Sequence, residues 1–129
     1  MVSSMDGLEA LVRVLGLEYV KEAGSILVSY ETGAGRTGIV LSIDEAGWLR
    51  IAIPTDVEPT VEGLRWLLAE NFSNTGYKYS LDYDGFITVV VDVPARCVGN
   101  ARELRELMLY AVEGYRRLME RVSEGKEED

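Results

Sequence analysis

Two segments in which apolar and polar residues alternate around a short glycine-containing loop constrain the fold of this chain most strongly. In residues 39–53 the alternation selects a three-residue loop at residues 45–47 with Gly47 left-handed, because a one-residue change in loop length sets Leu41 against Arg50. The predicted register pairs Ile43 with Leu49, Leu41 with Ile51 and Ile39 with Ile53. This segment therefore predicts an antiparallel hairpin.

The second segment, YKYSLDYDGFITVVVDV at residues 77–93, has the same design around a loop at residues 83–85. Its predicted register pairs Leu81 with Ile87, Tyr79 with Val89 and Tyr77 with Val91. One face of this hairpin is apolar and the other mostly polar, as in an antiparallel sheet covered on one side. Alternation of Ile26, Val28 and Tyr30 predicts a fifth strand. The short extended piece before it, at residues 18–20, is not counted as a strand.

The first and last helices are each predicted by a capping residue followed by one apolar stripe. The first begins at Ser3 or Ser4 and ends at a left-handed Gly16. Its stripe is Leu8, Leu11, Val12 and Leu15. The last begins at Asn100, with Glu103 completing the capping signal. Its stripe is Leu104, Leu107, Met108, Ala111, Tyr115, Leu118, Met119 and Val122. Residues 123–129 are expected to form a disordered acidic tail.

The middle helix is expected within residues 58–72, and either Thr55 or Thr60 caps its start. The stripe that is expected to face the core is Val61, Leu64, Leu68 and Phe72. Trp66 lies about 140° from Val61 around the helix axis. Trp66 is therefore expected to point away from that stripe.

The element order is α-β-β-β-α-β-β-α in a single α+β domain over residues 1–122: a five-stranded antiparallel sheet with the first and last helices on one face. With this order, the segments LVRVLGLEYV, IDEAGWLRIAIP and NFSNTGYKYSLDYDGFITVVVDVP make the chain resemble the YbjN and type III secretion chaperone-like family over residues 5–122. The resemblance implies a homodimer that binds proteins or peptides and implies no catalytic residue. The GAGRTG segment and the acidic tail have no counterpart in it.

The charge of the chain indicates which classes of partner it binds. A formal net charge of −9 and a pI near 4.5 oppose nucleic-acid binding and favour a basic partner. No signal-peptide pattern or apolar run long enough to span a bilayer is present, so a cytoplasmic protein without a membrane partner is expected. The chain has no histidine, no glutamine and three asparagines, while charged residues are abundant. This composition is typical of thermophile proteins, and we treat thermophily as a hypothesis.

Three motifs suggest chemistry, and each has a simpler structural explanation. Residues 33–38, GAGRTG, match the dinucleotide pattern G-x-G-x-x-G, but a strand rather than a helix follows, so a hairpin turn is favoured. Cys97 has no histidine to activate it. Asp82 and Asp84 lack the further ligands of a calcium loop, and the same holds for Asp92. No catalytic residue, cofactor site or metal site is predicted.

The strongest functional signal is a set of large apolar side chains that the predicted core does not need. Aromatic residues left outside a core are enriched at protein interfaces. The candidate interface residues are Trp66, Trp48, Phe86, Leu109 and Tyr110. The predicted function is a non-enzymatic, chaperone-like or regulatory protein-binding module that acts as a homodimer. The alternative is a small-ligand-binding protein or an enzyme that uses Cys97 and the glycine loop from Gly33 through Gly35 to Gly38.

Overall fold

A computed structural model of the chain describes residues 2–33 and 35–127. Its α-helices are α1 (Met5–Val14), α2 (Val61–Ser73) and α3 (Ala101–Glu127), and a short 3-10 turn occupies Ala95–Cys97. Its strands are β1 (Tyr19–Glu22), β2 (Ser25–Thr32), β3 (Gly35–Ile43), β4 (Trp48–Pro54), β5 (Lys78–Leu81) and β6 (Ile87–Pro94). The strands form one antiparallel sheet in the order β1-β2-β3-β4-β6-β5.

The sheet has six strands, so the predicted number of five is wrong. The additional strand is β1, which pairs with β2 from Tyr19 opposite Val28 to Glu22 opposite Ser25. The turn between them holds Ala23 at φ 31° and Gly24 at φ 87°, and two positive φ values suit a tight hairpin. Only Tyr19 of β1 is partly covered, while its other three residues are exposed. Periodicity therefore gave no signal for this strand.

Both predicted hairpin registers are confirmed where the strands pair. Ile43 lies opposite Leu49 and Leu41 opposite Ile51, with Gly47 at φ 85°. Leu81 lies opposite Ile87 and Tyr79 opposite Val89, with Gly85 at φ 86°. The third predicted pair of each hairpin lies outside the ladders, which end at Val40–Ala52 and at Lys78–Val90.

The glycine-rich segment is a hairpin with a shorter turn than predicted. Thr32 already pairs with Gly35, and Arg36, Thr37 and Gly38 continue the ladder of β3 against β2. Only residues 33 and 34 separate the two strands, and Ala34 lies outside the described residues. Most of the GAGRTG motif is therefore strand.

The core lies between one face of the sheet and the first and last helices, as predicted. Ser4 caps α1 by accepting a hydrogen bond from the Gly7 amide at 3.2 Å, and Asn100 accepts one from the Glu103 amide at 2.9 Å. Leu8 and Val12 of α1 and Leu104, Met108, Ala111 and Leu118 of α3 are buried in one cluster with the inner residues of β2, β3, β4 and β6.

The last helix is longer than predicted. It continues through Ser123 to Glu127, whereas the sequence predicted an end at Val122 and a disordered tail. Residues 128 and 129, the rest of that tail, lie outside the described residues. The periodic apolar stripe stops at Val122, but nothing in residues 123–127 breaks a helix strongly: Gly125 costs only about 1 kcal/mol relative to alanine.

The middle helix is turned the opposite way from the prediction. Thr60 caps α2 by accepting a hydrogen bond from the Gly63 amide at 2.9 Å, so the start at Thr60 is the correct one of the two considered. Leu67 is its one buried residue, and Trp66 packs against the core. The stripe expected to face the core is exposed to solvent instead.

Candidate protein-binding surfaces

The exposed stripe of α2 is the most apolar helix surface left uncovered in the described part of the chain. Its members are Val61, 81% exposed, Leu64, 37%, Leu68, 69%, and Phe72, 92%. The four side chains follow one another at steps of three and four residues and so lie on one side of the helix. We refer to these four residues as the α2 stripe.

The opposite side of α2 is held against α3 by polar contacts and stacking. Glu70 forms an ion pair with Arg117 at 3.0 Å and is only 17% exposed in its side chain. The guanidinium of Arg121 lies over the Trp66 ring at 4.8 Å from the centroid, a cation–π arrangement. The Trp66 ring also packs on Tyr79 with ring centroids 5.5 Å apart. These contacts determine which side of α2 faces solvent.

Tyr79 of β5, which packs on Trp66 of α2, also contacts α3. Its hydroxyl donates a hydrogen bond of 2.7 Å to the backbone oxygen of Gly114, and its ring meets that of Tyr77 edge to face at 5.5 Å. Burial is the largest cause that raises the pKa of the Tyr79 phenol above its ordinary value, and the neighbouring Tyr77 raises it further. The Tyr79 hydroxyl is therefore a fixed structural donor at neutral pH.

The five interface residues predicted from the sequence do not form one patch. Trp48 is 45% exposed on the open face of the sheet at the start of β4 and lies opposite Pro94. Phe86 is half-buried and precedes β6, at the other end of that strand pair. Leu109 and Tyr110 are 38% and 49% exposed on α3. The expectation that the core leaves Trp66 uncovered is wrong, because Trp66 packs against it.

The open face of the sheet carries an apolar row that crosses five strands. Val20, Leu27, Val40, Ala52 and Val90 lie directly opposite one another in consecutive pairs, and Lys78 ends the row on β5. Val20 is 52% exposed, whereas Val90 is 8% exposed. Beside this row Arg50 and Asp92 form two hydrogen bonds of 2.8 Å across β4 and β6. The face combines an apolar centre with polar neighbours.

The glycine turn and Cys97 lie at opposite ends of the sheet. Gly35 begins β3, and Ile43 ends it. Ile43 pairs with Leu49 of β4, which in turn pairs with Val93 of β6. The turn that holds Cys97 follows directly after β6. Eight steps along β3 separate these ends by roughly 26 Å. Gly33 borders a groove of about 510 Å³ whose apolar lining is Tyr30, Val112, Tyr115 and Met119. Cys97 is exposed and does not line this groove.

No group of three or more His, Cys, Asp or Glu side chains within residues 2–33 and 35–127 is placed to hold a metal ion. Over the same residues, no helix combines the length and apolar character that crossing a membrane requires.

Comparisons with known proteins bear on the fold. No family model and no curated protein matches the chain. Among solved structures, the chain matches one in the structure of the HopA1-SchA chaperone-effector complex with a TM-score of 0.63 and 21% sequence identity. The match covers 84% of this chain and 87% of that chain. The chain thus shares its α+β fold with a component of a chaperone–effector complex.

Proposed function

We propose that this protein is a non-enzymatic, chaperone-like protein-binding module that acts as a homodimer through the α2 stripe. The observation that carries the proposal is the exposure of four large apolar side chains on one side of a helix whose other side is fixed to the core. Contiguous apolar surface of this kind marks an interaction site in a soluble protein. The similarity of fold to a chain of a chaperone–effector complex supports a role in protein binding.

A second copy is the occupant that the stripe suits best. A two-fold interface is self-complementary, so an apolar helix face can meet the same face of a partner copy without any further sequence requirement. The stripe itself carries no charge, and antiparallel or parallel packing of two such helices buries aliphatic and aromatic side chains against each other. The net charge of −9 lies elsewhere and keeps the dimer soluble.

The partner protein is proposed to bind the open face of the sheet or the exposed edge of β1. The apolar row on the open face offers a surface for a partner's apolar side chains, and an edge strand offers backbone groups for strand addition. The acidic charge of the chain favours a basic segment in that partner. The proposed setting is the cytoplasm.

Sedimentation velocity tests the dimer. The wild-type protein is expected to sediment as a dimer of twice the 14.3 kDa chain mass. Leu68→Asp places a charge in the centre of the stripe and should yield a folded monomer. Val14→Asp is the matched control, because Val14 is a similarly exposed aliphatic residue, 74%, on another helix. Wild-type and Leu68→Asp proteins that sediment alike would refute the assignment.

Affinity capture tests the partner surface. The variant Val20→Thr with Leu27→Thr removes apolar bulk from the row while keeping residues that favour strands. Wild-type protein should capture from source-cell extract a partner that this variant no longer binds, and mass spectrometry identifies that partner. Both proteins should still dimerise. An identical set of captured proteins would argue against the open face as the binding surface.

A second candidate function is binding of a small apolar ligand in the groove beside Gly33. Its volume of about 510 Å³ falls within the range of ligand pockets, and four apolar or aromatic residues line it. Cys97 takes no part in this version of the proposal, since it lies at the other end of the sheet. Binding of the neutral dye Nile red tests this candidate, because Val112→Trp should fill the groove. Loss of dye binding in that variant would favour a ligand site; unchanged dye binding would argue against it.

A further inference from the structure

The sheet has two edges, β1 and β5, and the two differ in how their outward backbone groups are satisfied. Edge strands ordinarily leave alternate N–H and C=O groups free to pair with another chain. In the β5–β6 hairpin the Asp82 amide donates to the Phe86 oxygen at 2.9 Å. Hydrogen-bonded positions alternate in an antiparallel pair, so Lys78 and Ser80 bond to β6 while both backbone groups of Tyr79 point outward.

The side chain of Asn71 from α2 occupies the outward groups of Tyr79. The Asn71 Nδ2 donates to the Tyr79 oxygen at 3.0 Å, and the Tyr79 amide donates to the Asn71 Oδ1 at 2.8 Å. These are the same two hydrogen bonds that an added strand would make at this position. A side-chain amide thus replaces a neighbouring strand at the centre of β5.

Neighbouring contacts occupy further positions along this edge. The Tyr77 amide, the preceding outward donor, binds the Asn74 Oδ1 at 3.0 Å. The Lys78 Nζ reaches back to the carbonyl oxygens of Asn71 and Asn74 at the end of α2, at 2.5 Å and 2.6 Å. Leu81, the last residue of the strand, is the one further outward position, and a single position cannot support a ladder. Two of the chain's three asparagines lie at this edge.

The β1 edge has no such cover. The Ser29 amide donates to the Glu18 oxygen at 2.9 Å, so the alternation turns the backbone groups of Tyr19 and Lys21 outward. Among the described residues no hydrogen bond reaches those outward groups. The contacts of α1 with β1 use side chains, such as the 2.7 Å hydrogen bond from the Tyr19 hydroxyl to Glu9.

We propose that Asn71 closes the β5 edge against strand addition and so confines pairing with an extended peptide segment to the β1 edge. Asn71 is then the residue that determines which edge accepts a strand. The proposal rests on the proposed function in taking an extended protein segment as the ligand, while the state of the β5 edge itself is independent of dimer formation.

The test uses a short peptide in which Thr and Val alternate between terminal lysines, with a nitroxide spin label at one end. In the wild-type protein the label should leave the amide NMR signals of β5 unbroadened. In Asn71→Ala the released Tyr79 groups should accept the peptide, and the amides of Lys78–Leu81 should broaden at least several-fold more than in wild type. Ser73→Ala is the matched control on α2, because the Ser73 hydroxyl bonds only within the helix, to the Ala69 oxygen.

Each outcome decides whether Asn71 closes the β5 edge. Broadening of β5 in wild type, or no broadening of β5 in Asn71→Ala, overturns the proposal whether or not the peptide binds elsewhere. If Asn71→Ala does not fold, Asn71→Asp keeps the acceptor for the Tyr79 amide and frees only the Tyr79 carbonyl. Broadening of the β5 amides above that of wild type and of Ser73→Ala is then expected, and its absence overturns the proposal. Failure of the dimer proposal would show in sedimentation and leave this NMR result unaffected.

Discussion

Gly114 lies where α3 packs closely against the sheet. A Cβ atom there would lie 2.6 Å from the Cδ2 of Tyr77 and 2.7 Å from the Cγ1 of Val89. Glycine inside a helix costs roughly 0.5–1 kcal/mol relative to alanine, so its presence here reflects the close approach of the helix to the sheet. The backbone carbonyl of Gly114 also accepts the hydrogen bond from the Tyr79 hydroxyl.

We therefore expect Gly114→Ala to lower the free energy of unfolding by roughly 1–3 kcal/mol, because the Tyr77 ring and Val89 must move. Urea denaturation measures the change. Gly125→Ala is the control on the same helix, where no atom lies within 4 Å of an added Cβ. That substitution should be neutral or stabilise by up to about 1 kcal/mol. Equal effects at the two glycines would contradict the packing described.

Tyr79 should make the protein sensitive to alkali. Its folded-state pKa is raised, chiefly by burial, so its contribution to stability is fully present below the unfolded pKa of about 10 and is lost as pH rises above that value. Tyr79→Phe should cost about 1 kcal/mol at neutral pH through the lost hydrogen bond to Gly114. It should also flatten the fall in stability above about pH 10, although Tyr77, whose pKa burial also raises, still contributes to that fall.

Denaturant midpoints measured at several pH values for wild type and Tyr79→Phe check this prediction. Parallel loss of stability in the two proteins above about pH 10 would show that the Tyr79 hydroxyl is not held in the buried position.

At the scale of elements, α2 shows how far the sequence predicts this structure. The extent and cap of the helix follow from Thr60 and the apolar spacing, but the side that faces the core does not. Two sides of α2 are apolar. The α2 stripe has four large apolar residues, whereas the side with Trp66 and Leu67 has two, so the count favours the wrong side. The packed side is decided by Glu70 with Arg117, 47 residues apart, and by Asn71 with Tyr79 on the following strand, and periodicity within the helix reveals neither contact.

The same limit applies to the candidate surfaces. Hairpin registers were predictable because alternation and left-handed glycines are local signals. Strand β1 was missed because three of its four residues are exposed and carry no pattern. The α2 stripe was identified as apolar but assigned to the core. A helix that is apolar on two sides is itself a signal, since one side requires a partner beyond its own sheet.

For the whole molecule, the net charge of −9 per chain should oppose association of two copies. An interface made of uncharged apolar side chains gains nothing from ion pairs, so salt should act mainly by screening this repulsion. We expect the dimer dissociation constant to fall several-fold between about 0.02 M and about 0.5 M NaCl. Sedimentation equilibrium at several salt concentrations measures it; weakening of the dimer by salt would point instead to an interface of ion pairs.

The central claim, that a second copy covers the α2 stripe, is tested most directly by the solvent accessibility of its methyl groups. A neutral, soluble gadolinium chelate enhances the relaxation of methyl protons that meet solvent. In the wild-type protein the methyl groups of Leu64 and Leu68 should be protected nearly as well as those of buried Leu67, while those of Val14 are strongly relaxed. Relaxation of the Leu68 methyl groups as strong as that of Val14 would contradict the account.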